Sequence, residues 1–241
     1  TQADTSASRI VVRFTLTVGD QPFADQRSLD VLAQSSQQTT LTDRTLVSSD
    51  IAVIVSIAEP VLAIKHGVVS SSNGTVSNTT GSWNLPGSSG KPFNGSVTDL
   101  AAVDGNVAGI DGGDRLRLAT AIENSGGGGA WDVTTSITLP SGLSFVGGSL
   151  AAANLQIWRG DGTALVAGTD YSVSGQQITF LDANGQATLL AGRNGSAADT
   201  SGANLVVISY DVVVSDSIEA GRSLQSSATL SNYASVNGGS D

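Results

Sequence analysis

Apolar and polar residues alternate in several short runs of this chain, and this alternation limits its fold more than any other feature. The clearest runs span residues 10–18, 133–139 and 206–214, where one face carries mainly Val, Ile, Leu and aromatic residues. Since successive side chains of a strand point to opposite faces, each run predicts a strand with one buried face. Glycine-rich turns such as 126–129 separate the runs. The pattern predicts an all-β, immunoglobulin-like β-sandwich and argues against helical or parallel-sheet folds.

An internal repeat connects the two ends of the chain. Two short motifs recur at an offset of 195 residues: Ala3-Asp4-Thr5-Ser6 as Ala198-Asp199-Thr200-Ser201, and Arg27-Ser28-Leu29 as Arg222-Ser223-Leu224. The alternating strands between them match in apolar phase only at an offset of 196, which places Phe14 and Tyr210 at equivalent core positions. Shifting a strand by one residue turns each of its side chains to the opposite face. The two offsets are therefore compatible only if one residue is gained before the strand and one is lost after it. The alternative is chance similarity in a chain of low complexity.

The repeat predicts a division of the chain into two parts. Residues 1–58 are predicted to be a partial β-sandwich segment, made of the closing strands of a preceding module with a linker. Residues 59–241 are predicted to be an immunoglobulin-like β-sandwich domain. A partial sandwich leaves an apolar face and strand edges uncovered, so residues 1–58 should not be stable alone. The chain is therefore expected to be a fragment of a tandem array, or a subunit whose first strands complete another sheet.

Charge and residue usage exclude several classes of function. The chain has 11 Lys and Arg against 21 Asp and Glu, a formal net charge of −10, so we predict no nucleic-acid partner. It contains no Cys, which excludes disulfides and thiolate metal sites. No apolar run reaches the roughly 20 residues that cross a bilayer, so we predict no transmembrane segment.

Catalytic motifs are not found either. His66 is the single histidine, and the chain has neither a Gly-x-Ser-x-Gly motif nor a cysteine nucleophile. We therefore predict that the protein is not an enzyme. Paired carboxylates for glycoside cleavage stay open, because their separation depends on the tertiary structure.

One group of motifs resembles a known family. Gly113-Asp114 begins a segment that ends at Asn124-Ser125-Gly126, and the turn from Leu139 to Phe145 follows with the sequence LPSGLSF. These motifs resemble the surface-repeat domains of bacteria and the related isopeptide-forming fimbrial domains. The resemblance covers about residues 59–241. It implies a tandem immunoglobulin-like domain at the extracellular cell surface, in fimbriae, stalks or large adhesins, without enzymatic turnover.

The resemblance also implies a cross-link in some family members, in which an uncharged Lys attacks an Asn side chain with the help of a carboxylic acid. Lys65, in the first strand of the domain, and Asn232, in the last, match the two reacting positions. Ile137 stands where the family often has its acid, two residues before the Leu-Pro turn. The alternative is that Lys65 is a solvated strand lysine.

Calcium is a candidate ion, because Asp104, Asp111 and Asp114 crowd a glycine-rich loop and hard cations take clustered oxygen ligands. Asp and Gly are also common in ordinary turns, which is the alternative. A second candidate surface lies between Ser70 and Ser96, a stretch too long for a simple turn. Its Trp83 and Phe93 are predicted partner-contact residues, unless the segment folds over its own domain.

Two functions remain. The first is a structural subunit or repeat module of a cell-surface array, whose partners are like modules or copies of itself. It predicts large apolar module contacts that involve residues 1–58. The alternative is an adhesin module that binds a host or cell-surface ligand, with calcium as a candidate stabilising ion. It predicts a pocket or ion cluster at the loop end near residues 104–114.

Overall fold

Strands make up most of the regular structure. The computed structural model describes residues 13–17, 25–40, 43–77, 103, 105–181, 190 and 202–239, with the backbone alone for 32–40 and 43–53. The strands in these ranges are β1 Ser28–Thr40, β2 Asp43–Ser56, β3 Leu62–Ser71, β4 Thr75–Ser77, β5 Asn106–Ala108, β6 Arg115–Asn124, β7 Trp131–Thr138, β8 Leu143–Phe145, β9 Gln156–Arg159, β10 Tyr171–Ser174, β11 Gln177–Phe180, β12 Leu205–Val214 and β13 Ser227–Ala234. No helix in this part of the chain has the length and hydropathy that crossing a membrane requires.

Two antiparallel sheets enclose the main core. One has the order β10-β11-β7-β13, and the other has the order β3-β6-β12-β8, with β9 pairing along the same edge of β12 as β8. Apolar side chains from both sheets meet between them, including Leu118, Ile122, Val133, Ile137, Ile208 and Tyr210. Their burial removes a large apolar area from water and stabilises the fold. The predicted all-β, immunoglobulin-like sandwich is confirmed.

The sheet that contains β6 and β12 is also apolar on its outer face. Ala121 and Val207 are paired in register and point away from the main core, where they join a second cluster with Val69 and Val103. Val103 is fully buried and packs on this face. The first four residues of β12 are therefore buried on both sides of the sheet, which explains why Leu205 to Ile208 do not alternate with polar residues.

The alternating run at residues 10–18 differs from its repeat. Its described part, residues 13–17, is not in a strand, and Phe14 and Leu16 are 62% and 61% exposed. The expected burial of Tyr210 is confirmed, whereas the equivalent expectation for Phe14 is wrong in this structure. The physical reason is that the described residues place no strand beside 13–17, and an unpaired strand is not stable in water.

Strands β1 and β2 form a long hairpin that pairs with no other strand in the described part of the chain. The predicted domain boundary at residue 58 lies between the end of β2 and the start of β3. The division into two domains stays a prediction.

Candidate functional site: the hairpin joint

The base of the hairpin is tied to the sandwich by hydrogen bonds that we call the hairpin joint. It consists of residues 25–27, residues 57–61 and the glycine-rich loop 124–128 between β6 and β7. Gln26 N donates to the Ile57 carbonyl over 2.8 Å, and Ile57 N donates to the Arg27 carbonyl over 2.9 Å. These two bonds close the base of the hairpin, where Ile57 is buried.

The linker that follows runs alongside the glycine-rich loop. Gly128 N donates to the Glu59 carbonyl over 3.1 Å, and Ser125 N donates to the Val61 carbonyl over 2.9 Å. Pro60 lies between these contacts and is buried. The loop therefore holds the linker at both ends by backbone hydrogen bonds.

Asn124, at the end of β6, connects the loop to the start of β3. Its Oδ1 accepts hydrogen bonds from Val61 N and Gly126 N, each over 3.0 Å. Its Nδ2 donates to the Gly128 carbonyl over 2.7 Å. The side chain is fully buried, and a buried amide without these partners would destabilise the fold. Asn124 thus holds the loop in one shape and the linker against it.

Glycine is required in the loop because the linker passes so close to it. A Cβ on Gly126 would overlap the Glu59 carbonyl oxygen, and a Cβ on Gly128 would lie 2.5 Å from the Ala58 carbonyl oxygen. Any larger residue at these positions would push the linker away from the sandwich.

Asp25 adds a carboxylate that joins all three parts. Its Oδ1 accepts from Glu59 N over 2.9 Å and from Gly127 N over 3.1 Å. Hydrogen bonds to an ionised acceptor are stronger than those between neutral groups. One side chain therefore links the hairpin base to both the linker and the glycine-rich loop.

The joint is less apolar than the sequence suggests. Contacts between residues 1–58 and the sandwich were expected to be large and apolar, but the hydrogen bonds described between these two parts are those that Asp25 Oδ1 accepts from Glu59 N and Gly127 N, with Ile57 buried beside them. Hydrogen bonds are directional, whereas apolar burial is not. This chemistry fixes an orientation, and it is the chief property of the site.

Lys65 and Asn232, the two isopeptide candidates, lie on edge strands of different sheets. Lys65 pairs in register with Ala121, whose side chain belongs to the outer cluster, so Lys65 shares the face turned away from the main core. Asn232 is exposed, and its Nδ2 donates to the Asp132 carbonyl over 3.1 Å. The bond between them stays a prediction, and these positions do not support it.

His66 takes the core-facing position beside Lys65. It hydrogen-bonds through Nδ1 with Thr120 Oγ1 at 2.9 Å and through Nε2 with Ser226 Oγ at 3.0 Å, and its ring stacks on Tyr210 at 6.5 Å. Burial lowers the pKa of His66 from 6.5 to about 4, because the charged form loses its hydration. His66 is therefore neutral at neutral pH. Its position could have been read from the sequence, since it shares the phase of Ile64 and Val68.

Asp111 and Asp114 lie together in the turn before β6. Asp114 Oδ2 accepts from Asp111 N over 2.7 Å, so this carboxylate closes its own turn, in line with the ordinary-turn alternative. Asp104 lies outside the described residues. Within the described ranges, no three histidine, cysteine, aspartate or glutamate side chains gather where they could hold a metal ion. Calcium stays a prediction.

A shallow cleft of about 490 Å³ lies at the same end of the sandwich, lined in part by Gly113, Gly142, Ser215 and Asp216. Its other lining residues are Leu143, Ser144, Val213 and Val214, and Asp216 is the one ionisable residue of the lining in the described part of the chain. The partner-contact candidates Trp83 and Phe93 lie outside the described residues, so their role stays a prediction.

Sequence reasoning did not single out the residues of the joint. The run of four glycines was interpreted as a turn, although its close packing against the linker is what requires glycine. Asn124 was noted only as part of a motif. Asp25 carried no sequence signal, because its partners are backbone amides of segments distant in sequence.

Comparison with known proteins gives only distant likenesses. No protein-family model matches the chain, and no curated protein sequence matches it. Similar solved structures include the pilus backbone protein RrgB of Streptococcus pneumoniae, at 17% identity over 52% of this chain and 43% of that one, with a TM-score of 0.38. Full-length RrgB matches at 14% identity over 86% of this chain and 29% of that one, with a TM-score of 0.41.

The T6 backbone pilin of serotype M6 Streptococcus pyogenes, which has three domains, matches at 15% identity over 82% of this chain and 35% of that one, with a TM-score of 0.37. The chain spans less than half the length of each of these proteins. With TM-scores below 0.5, the likenesses assign neither a fold nor a function.

Proposed function

We propose that this chain is a structural module of an extracellular surface array, fimbria or stalk, and that it acts by packing modules against one another. The observation that carries the proposal is the hairpin joint, in which Asp25 and Asn124 hold the linker against the sandwich. Segments joined by a few residues move freely by default, unless contacts fix them. A joint of directional hydrogen bonds suits a fibre, because neighbouring modules must keep one orientation to transmit force.

Two sequence features support the same function. The motifs from Gly113 to Phe145 resemble surface-repeat and fimbrial domains, and the internal repeat is typical of tandem arrays. Like modules are then the partners, and the cell surface is the location.

An adhesin module is the second candidate function. The cleft beside Gly113 and Asp216 supports it, because it lies at the loop end where the sequence predicts a binding site. A ligand bound there would meet small and apolar residues and one carboxylate, that of Asp216.

The proposal is tested on cells of the organism that makes the protein. Immunogold electron microscopy with an antibody against the sandwich should label extended surface structures at repeated intervals, and cells lacking the gene should show no label. Label confined to the cell interior would contradict both candidate functions. Scattered surface label, together with lost attachment to a host surface in the deletion strain, would favour the adhesin.

A further inference from the structure

The segment before the linker carries apolar residues that the described structure leaves uncovered. Phe14 and Leu16 are 62% and 61% exposed, and Ile54 on β2 is 66% exposed. A two-stranded hairpin is marginally stable in water, and neighbouring exposed apolar residues mark a contact surface. The identity of what covers them can be inferred from the repeat.

The backbone gives independent support for the repeat. Gln26 and Gly221 stand at an offset of 195, each one residue before the repeated Arg-Ser-Leu, and both adopt the left-handed conformation, with φ of 62° and 77°. A positive φ is uncommon for a residue other than glycine. The same turn is therefore built twice, once with the expected glycine and once at the cost of strain in Gln26.

The alternating segment before this turn has opposite surroundings in the two copies. Tyr210, in the middle of β12, is fully buried and makes an edge-to-face contact with Phe145 at 5.7 Å. Strand β12 has β6 on one side and β8 and β9 on the other. Phe14 occupies the equivalent position at an offset of 196 and has none of these neighbours in the described structure. The apolar pattern is the same, and only the flanking strands differ.

We propose that Phe14, Leu16 and strand β1 close a second sandwich, whose other strands come from a further module with the pattern of residues 62–181. In that sandwich Phe14 takes the place of Tyr210, between strands equivalent to β6 and β8. The opening strands of a module precede its closing strands, so the covering segment stands ahead of residues 13–40 in the order of the polypeptide.

The opposite face of the strand fits this assignment. Thr15 lies between Phe14 and Leu16 and is equivalent to Asp211 at the offset of 196. Asp211 points away from the main core and forms an ion pair with Arg117 at 2.8 Å. The outward position thus accepts a polar or charged residue in both copies, whereas the inward position is aromatic in both.

The inference deepens the proposed function and rests on it for its biological role, but its test is independent of where the protein is found. Residues 59–197 are fused ahead of residues 3–241, so that Ala3-Asp4-Thr5-Ser6 replaces the equivalent residues 198–201. Hydrogen exchange of the peptide around residues 13–17 is then measured by mass spectrometry in the fused and the original chain. In the fused chain we expect exchange to slow by about 100-fold, as for amides of a central strand.

Two variants of the fused chain separate burial from accidental protection. Phe14→Asp should abolish the slow exchange, since it places a charge in the core. Thr15→Asp should preserve it, because Asp211 already stands at that position in the second copy. Equal exchange in fused and original chains would overturn the inference. Exchange in the original chain that is already slow, and that becomes slower as the protein concentration is raised, would also overturn the inference. A second copy would then be the covering partner.

Discussion

The core of the sandwich and the hairpin joint both hold distant segments of the chain together, yet they do so by different chemistry. The core is made of apolar side chains from two sheets, such as Leu118 and Ile137. The joint is made of backbone amides and carbonyls, with Asp25 and Asn124 as side-chain acceptors. A core resists unfolding in proportion to the apolar area it buries, whereas a hydrogen-bonded joint adds little net free energy but fixes direction. Stability and orientation should therefore respond to different substitutions.

The largest expected effect is in the core. Leu118→Ala should lower the free energy of unfolding of the sandwich by about 3 kcal/mol, because it removes buried apolar atoms and leaves a cavity. Chemical denaturation measures this loss, and Val166→Ala, at a residue that is 58% exposed, is the control. Amide exchange in the joint should stay unchanged under native conditions. A loss below about 1 kcal/mol would show that Leu118 is less tightly packed than its burial indicates.

Acid should weaken the core through its one histidine. The pKa of His66 is about 4 in the folded chain and 6.5 in the unfolded chain, so the unfolded state binds the proton more tightly. This contribution is present in full above pH 6.5 and is lost as the pH falls towards 4, by roughly 3 kcal/mol.

Denaturation of the wild type and of His66→Gln at several pH values measures the effect. The variant removes the titrating group, so the two curves should diverge between pH 6.5 and 4. Carboxylates contribute equally to both curves. Parallel curves over this range would contradict a buried, neutral His66.

A single methyl group should open the joint and leave the core intact. Gly126→Ala places a Cβ against the Glu59 carbonyl, so we expect the linker to separate from the loop at a local cost of about 2 kcal/mol. NMR hydrogen exchange at the Val61 and Gly128 amides should become roughly 30-fold faster, while global unfolding changes far less. Ser56→Ala, at an exposed side chain next to the joint, is the control. Unchanged exchange would mean that the loop moves aside without releasing the linker.

The smallest expected effect is at Asp25. Asp25→Ala removes the acceptor for Glu59 N and Gly127 N, and should lower the local stability of the joint by about 1 kcal/mol. Spin labels on cysteines introduced at Ser56 and Thr138, in a chain with no native Cys, would report a broader distance distribution between hairpin and sandwich. Asp30→Ala, at an exposed position of β1, should leave the distribution narrow. An equally narrow distribution for Asp25→Ala would assign the orientation to the backbone alone.

Core residues were easier to predict than joint residues, because a core position is indicated by residues close in sequence, whereas a joint position depends on partners far away in sequence. The buried face of β12 can be predicted from a few neighbouring residues, because every second residue is apolar. The structure buries all five of them: Val206, Ile208, Tyr210, Val212 and Val214. The partners of Asp25 lie 34 and 102 residues away and are backbone groups, which have no residue signature. Lys65 was singled out by the family resemblance, although the apolar phase of Leu62, Ile64 and Val68 assigns the inward position to His66.

The amino-acid sequence alone determined that this chain forms antiparallel strands and which face of each major strand is apolar, because side-chain direction alternates with every residue of a strand. Only the tertiary structure decided that the glycine-rich loop receives the linker, and that Tyr210 is buried while Phe14 is exposed. These outcomes depend on which distant segments meet. A local pattern predicts that one face of a strand is buried, but it does not predict which segment buries that face.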